Sequence, residues 1–351
     1  MTTTIEGRSM REREQVLIEK TTIPNILFKA QELQDKCEDF NITRVTDEKL
    51  RLTESGAIAY LPDGTDARFS PISPFAMSQL CTKVGVPSQY IEKCIKSGRI
   101  DLAQDNIQSW LTDYKGSMFI RECDGKIRGV LSQKFATCDT PEILEVINET
   151  FPTQNFVVRG YYLSPERFHL RVTERTPLKL PDEDLFGGFT VNSSDVGRSQ
   201  LRVNYFLFKQ VCTNGLCLPK GQGDLFQQKH IGITPEALRK GLSKNLELVP
   251  KISKEFVARV ERARNSGEVI TDFDNDAEIK KIISKLKVVK INEEQAAKVI
   301  DLFKFRLYEA EDFKYENNNW GLVNAVTEYS KNLTLERRVE VENNAGILLV
   351  A

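Results

Sequence analysis

The sequence predicts an α+β protein: a strand-rich, mainly antiparallel core with inserted helices, followed by a helical C-terminal region. Three observations point there. Residues 117–123 and 126–132 flank Asp124-Gly125, a strong two-residue hairpin signal. Residues 155–163 and 167–173 flank Ser164-Pro165-Glu166 in the same way. After Ile233, the residues Leu238, Leu242, Leu246, Val249, Ile252, Phe256 and Val260 recur at three- and four-residue steps, which makes one apolar helix face.

Residues 1–20 read as a flexible charged tail. Within it, Ile5-Glu6-Gly7-Arg8 matches the factor Xa cleavage sequence, either as a tag scar over 1–9 with Met10 the natural start or by chance. Residues 21–232 form the expected α+β core. A short helix over 26–33 precedes strand candidates at Ile42, Arg51-Leu52 and 57–61, and Pro62-Asp63-Gly64 signals a turn. Residues 73–114 read as three helices, with Pro74 at a first helical position, Gly85 and Gly98 as stops, and Pro87-Ser88 as a start. Residues 141–150 place Ile143, Leu144 and Ile147 on one helix face. Strands over 185–191 and 201–212 complete the core, with a hairpin turn expected at Asn214-Gly215. Residues 233–351 form the helical region. Thr234-Pro235-Glu236 is a helix start, and Pro250 predicts a kink or two abutting helices. Helical character continues over 279–290, 293–309 and 320–331, and the apolar end at 346–350 could dock as a strand.

The 351 residues carry 49 Lys plus Arg against 50 Asp plus Glu, a net charge of −1. That excludes a globally basic nucleic-acid binder and leaves room only for a local basic patch. No apolar run approaches the roughly 18 residues of a membrane span, and the start lacks a signal-peptide core. Seven scattered cysteines, an odd number, read as reduced thiols, so a cytoplasmic protein is expected. Cys212, Cys217, His230 and His169 match no zinc spacing, so no metal is assigned. His169 and His230 are the only histidines, and the sequence has no Gly-rich phosphate loop, nucleophile elbow or His-Glu-x-x-His. The enzyme reading is therefore poor, and no catalytic residue or cofactor is assigned.

Three surfaces are candidates for nucleic acid. Cys81, Gly85, Val86 and Ile91 have helix-turn-helix spacing, which would present Gln89 and Lys93 to a duplex. Two packed helices without a DNA role fit the same spacing. The polar island from Asn192 to Arg198 could pair an arginine and turn amides with phosphate, or be a turn held by a structural arginine. From Ala237 to Arg264 there are eight Lys or Arg and three Glu. Lys240, Lys244 and Lys251 fall opposite the apolar stripe, as a solvated face or a phosphate-tracking one.

Five ordered blocks carry a family resemblance: Ile127-Arg-Gly-Val-Leu-Ser-Gln-Lys-Phe135, Val191-Asn-Ser-Ser-Asp-Val-Gly-Arg-Ser199, Leu201-Arg-Val-Asn204, Val211-Cys-Thr-Asn-Gly215 and Lys229-His-Ile-Gly232. With them the chain resembles, over about 70–232, the phage/plasmid-like proteins grouped as domain of unknown function 932. The resemblance implies a mobile-element setting and supplies no activity. Residues 233–351 are expected to lie mostly outside it. The blocks suggest that Arg128, Ser132, Asn192, Ser194, Arg198, Asn214 and His230 converge as one polar site. The expected function is a non-catalytic DNA-transaction protein that binds nucleic acid, single-stranded DNA first, as a homo-oligomer. Aromatics interleaved with arginines at Tyr161, Tyr162, Phe168, Tyr205, Phe206 and Phe208 suit single strands, although core packing is the commoner fate of such side chains. The alternative is a host-interaction protein, such as an inhibitor of a defence system, acting through protein contacts.

Overall fold

A computed structural model describes residues 21–46, 48–151, 154–180, 183–209, 214–217, 224–311 and 314–349. The tail over 1–20 lies outside these. The architecture is α+β: three sheets, all antiparallel, with helices set between them and gathered at the C-terminal end.

Helix α1 (Ile23–Gln34) starts at Thr22, whose hydroxyl accepts from the Asn25 amide, and buries Ile23, Ile26 and Ala30 on one face. β1 (Cys37–Ile42), β5 (Met118–Cys123) and β6 (Lys126–Leu131) make a three-stranded sheet in the order β1-β5-β6. The β5–β6 hairpin turns at Asp124 and Gly125, both at positive φ (50° and 68°), as a primed two-residue turn requires. β2 (Leu50–Leu52), β3 (Ile58–Tyr60) and β4 (Arg68–Ser70) form a second small sheet.

Three helices cover these sheets: α2 (Pro74–Val84), α3 (Ser88–Lys96) and α4 (Ile100–Asp113). The α2–α3 pair meets at Gly85, whose φ of 83° ends α2 in the left-handed region. Leu80, Val84 and Ile91 are buried between the helices, and Ile95 is half-buried against the same cluster. The helix-turn-helix spacing thus folds as two packed helices that meet at Gly85.

α5 (Thr140–Thr150) opens with a capping box between Asp139 and Glu142. The large sheet follows, built from β7 (Phe156–Leu163), β8 (Phe168–Glu174), β9 (Leu178–Leu180), β10 (Glu183–Ser193), β11 (Leu201–Lys209), β12 (Asn214–Cys217) and β13 (Asp224–Gln228). Its order is β12-β11-β10-β8-β7, with β9 added to β10 and β13 to β11. Asn214 and Gly215 lie within β12, opposite Lys209 and Phe208, so they pair in the ladder and do not form the expected turn. Residues 210–213, where the connection runs, lie outside the described residues.

The C-terminal helices are α6 (Pro235–Leu246), α7 (Val249–Arg264), α8 (Asp276–Val288), α9 (Glu293–Tyr308), α10 (Asn319–Ser330) and α11 (Leu335–Ala345). Pro250 sits in the first turn of α7, where its missing amide is tolerated, so the chain makes two abutting helices. Leu238, Leu242, Leu246, Val249, Phe256 and Val260 are all buried, as their periodicity predicts. The apolar end forms a 3₁₀ turn (Gly346–Leu349) continuous with α11, not a strand; it follows the helix directly and buries Leu348 and Leu349 in the core. Among the described residues no helix is long and apolar enough to cross a membrane.

Apolar burial divides in two. One cluster joins β1 to β3, α2 to α4 and β5–β6. The other joins α1, α5, the large sheet and the C-terminal helices. Arg121, on β5 and 0% exposed, ties them together. Its Nε and Nη2 donate to the two carboxylate oxygens of Asp39 (2.8 and 2.9 Å). Its Nη1 and Nη2 donate to Asp139 (2.7 and 2.5 Å), and Nη1 also reaches the Asp195 carbonyl (2.7 Å). Removing one partner of such a buried network strands the others without a counter-charge. Arg121→Met should therefore destabilise the fold by about 3–5 kcal/mol, read as a lower urea midpoint. A loss below about 1 kcal/mol would contradict this role.

Asp195 is buried beside this network, and its side chain accepts from the Thr140 hydroxyl (3.0 Å). Burial raises its pKa to about 7, with the nearby Asp139 charge adding and Arg128 and Arg121 opposing. Its folded pKa thus exceeds the unfolded value of about 4. The associated stability is fully present below that value and is lost as pH rises through about 7. Relative to Asp195→Asn, the wild type should lose stability between those limits in urea titrations at successive pH. A pH-independent difference would contradict this.

Candidate nucleic-acid interface

The large sheet has one apolar and one polar face. Leu170, Val172, Phe189, Val191, Val203 and Tyr205 pack into the core. On the other face, Tyr162, His169, Asn192 and Arg202 lie directly opposite one another across β7, β8, β10 and β11. Opposed residues on neighbouring strands share a face, so these four form a row. One step further along, Arg171, Thr190 and Asn204 form a second, buried row.

Helix α11 closes the buried end of this face. Glu342 accepts from Arg171 Nη2 (3.0 Å) and from Arg338 Nε (2.8 Å). Arg171 Nε donates to His169 Nε2 (3.0 Å). A guanidinium can only donate, so His169 Nε2 is an acceptor and Nδ1 carries the proton. Nδ1 then donates to Asn192 Oδ1 at 2.7 Å. Burial and the Arg171 charge push the His169 pKa down to about 3. This pair of hydrogen bonds makes His169 a fixed neutral strut.

The other end of the polar face opens into a cleft of about 1080 Å³. Its second wall is the face of α2 that carries Phe75, Ser78, Gln79, Thr82 and Lys83, at helical three- and four-residue steps. Its rim is the 194–200 turn, and the Phe135 and Lys229–Ile231 segments close it. The turn is docked by Gln79, whose Nε2 donates to the Val196 carbonyl (2.9 Å) and whose Oε1 accepts from the Val130 amide (2.9 Å). Gly129 permits this approach: a Cβ there would lie 2.9 Å from Val196 Cγ1.

Lys83, Arg167, Arg198, Arg202 and Lys229 line the cleft, and no carboxylate is among its lining residues. Glu166, just outside, pairs with Arg198 (2.8 Å). Arg198 also stacks over Phe75, 4.9 Å from the ring centre, bridging the two walls. Lys83 is half-buried, and burial lowers its pKa. Tyr162, Phe135 and Phe75 add aromatic surface, whereas Phe168 is buried in the core behind it. Phe135 stacks on His230, with ring centres 5.1 Å apart.

The expected polar site is partly assembled. Ser132, Asn192, Arg198 and His230 line the cleft. Arg128 and Ser194 lie beneath it, donating to the Pro165 and Glu166 carbonyls (both 2.7 Å). Ser194 also accepts from the Arg198 amide (2.9 Å), so Arg128, Ser194 and Arg198 meet around the 164–167 turn. Arg128 is buried, with Asp195 3.7 Å away, and is not a cleft residue. Asn214 stands on β12, and its side chain is outside the described residues, as are those of Cys212 and Cys217. Gln89 and Lys93 on α3, and Lys240, Lys244 and Lys251 on α6 and α7, are exposed and do not line the cleft. Of the interleaved aromatics, Tyr161, Phe168, Tyr205 and Phe206 are buried; Tyr162 and Phe168 border the cleft.

Sequence reading missed Lys83 and Phe75. Their signal was the mostly polar face of α2 that carries Phe75, Ser78, Gln79, Thr82 and Lys83, which spacing alone assigns to solvent.

The neutral strut is testable. The His169 ring should show a protonated Nδ1 and no titration between about pH 5 and 8 in ¹⁵N-resolved NMR. With a folded pKa below the unfolded one, its contribution to stability is present above about 6.5 and is lost as pH falls. Titration near the ordinary histidine value would overturn the assignment.

The family described as domain of unknown function (DUF932) matches this chain over residues 128–348, and the chain belongs to it. The match begins later than the resemblance over 70–232 suggested and runs through the C-terminal helices, which that reading left mostly outside. The structure gives the reason: those helices share one core with the large sheet. No curated protein and no solved structure matches the chain.

Proposed function

We propose that this family member binds single-stranded nucleic acid in the cleft between α2 and the polar face of the large sheet. The observation that carries the reading is the concentration of cations there. Five Lys and Arg side chains line one cleft without a lining carboxylate, in a chain whose net charge is −1. A phosphate backbone is the polyanion that such a groove fits, and counterion release would drive binding. Tyr162, Phe135 and Phe75 supply faces on which bases can stack, as sequence-tolerant single-strand binding requires. The helix pair α2–α3 contributes through its α2 wall, not through a recognition helix: Gln89 and Lys93 lie away from the cleft lining.

The rival reading, a protein partner, draws on exposed Trp110, Phe69 and Phe28, none of which lines the cleft. Binding of a labelled single strand measured against salt separates the two. Lys83→Glu with Lys229→Glu should weaken binding and reduce the salt slope by about two, one for each phosphate no longer neutralised. Lys240→Glu, Lys244→Glu and Lys251→Glu together, or Gln89→Ala with Lys93→Ala, should leave the slope unchanged. Wild-type protein without salt-dependent binding would reject the cleft reading and favour the protein partner.

A further inference from the structure

We propose that His230 accepts a hydrogen bond from a sugar hydroxyl of the bound strand, so that the cleft takes RNA in preference to DNA. This inference rests on the cleft reading above and names the substrate class within it.

His230 is 3% exposed yet lines the cleft. Its Nδ1 lies 3.2 Å from the Ala136 carbonyl oxygen. A carbonyl only accepts, so Nδ1 carries the proton and Nε2 presents a lone pair. The Ala136 amide donates back to the His230 carbonyl, and Phe135 lies nearly parallel to the ring, at 10°, which fixes its orientation. Burial lowers the ring's pKa, which favours the neutral form. Nε2 has no hydrogen-bond partner, in a fold where His169 satisfies both of its ring nitrogens. A buried acceptor left unmatched is costly, so its complement is a donor brought by the ligand.

A phosphate oxygen cannot be that complement, because it is itself an acceptor. The donors a strand carries are base N–H groups and the sugar hydroxyl, and the one next to each phosphodiester, where the cleft cations would hold the chain, is the sugar's. Ribose carries a donor there, the 2′-hydroxyl, and deoxyribose does not. Two further residues of the cleft lining hold a buried side-chain atom without a hydrogen-bond partner. Arg202 Nε is a donor suited to a phosphate oxygen, and Ser193 Oγ, on a residue 1% exposed, can donate or accept. Together the three leave one acceptor, one donor and one hydroxyl unmatched beside the cleft, a set that suits a ligand with anionic oxygens and a hydroxyl side by side.

The test compares uridine 15-mers with one base and three sugars: ribose, deoxyribose and 2′-O-methylribose, which keeps the oxygen and loses the donor. Wild-type protein should bind the ribose strand about tenfold more tightly than either other strand, as expected for one buried acceptor left unmatched. His230→Phe, which keeps an aromatic ring against Phe135, should remove the preference and leave the salt slope intact. Equal wild-type affinity for ribose and deoxyribose strands would overturn this inference while leaving the cleft reading standing. Absence of salt-dependent binding to all three strands would overturn both. A ribose preference that persists in His230→Phe would place the hydroxyl contact elsewhere and also overturn the assignment.

Discussion

Arg121 holds five hydrogen bonds in a fully buried position, and those bonds come from three separate parts of the chain. Asp39 belongs to the N-terminal strand, Asp139 caps α5, and the Asp195 carbonyl belongs to the turn that rims the cleft. A guanidinium taken out of water is tolerable only when its donors are satisfied and its charge is matched. Asp39 and Asp139 do both, and Asp139 also accepts from Gln34 on α1 (3.0 Å). The two apolar clusters are thereby fixed relative to each other through a directional network, which apolar contact alone would not specify.

The cleft is a consequence of that junction. Its walls come from different clusters, α2 from one and the large sheet from the other, and the 194–200 turn stands between them. Gln79 and Gly129 bring the turn onto β6, while Arg121 and Thr140 hold Asp195 at its base. The cations of the cleft arise from α2, β11 and three loops or turns, and their convergence depends on this junction. A neutral chain can in this way carry a local positive groove without a basic run in its sequence.

The polar sheet face shows how the same strands serve a buried ion-pair network and the wall of the proposed binding cleft. Where α11 covers it, the row of Arg171 and its neighbours is closed by Glu342 and Arg338. Where the cover ends, the adjacent row of Tyr162, Asn192 and Arg202 meets the cleft. His169 stands at the boundary and passes the order of the closed half to Asn192 in the open half. The family match, which spans both the sheet and α11, follows this physical unit.

Sequence by itself determined the parts governed by local chemistry. Asp124-Gly125 and Gly85 marked turns because positive φ suits those residues. Thr234 marked a helix start, Pro250 an interruption, and the stripe from Leu238 to Val260 a buried face, because capping and periodicity act within a few residues. Asn192, Arg198 and His230 were legible as polar residues without an obvious structural use. Tertiary structure alone decided the rest. Arg121 reads in sequence as one charged residue in a hairpin strand; its partners lie 82, 18 and 74 positions away. Arg128 resembled Arg198 in sequence, yet one is buried beneath the cleft and the other lines it. Lys83 and Arg202 face one groove from elements more than a hundred residues apart. The physical reason is that charge matching and cleft formation depend on distance in space. Cross-strand register and helix docking set that distance, and neither is encoded in the spacing of a short stretch of sequence.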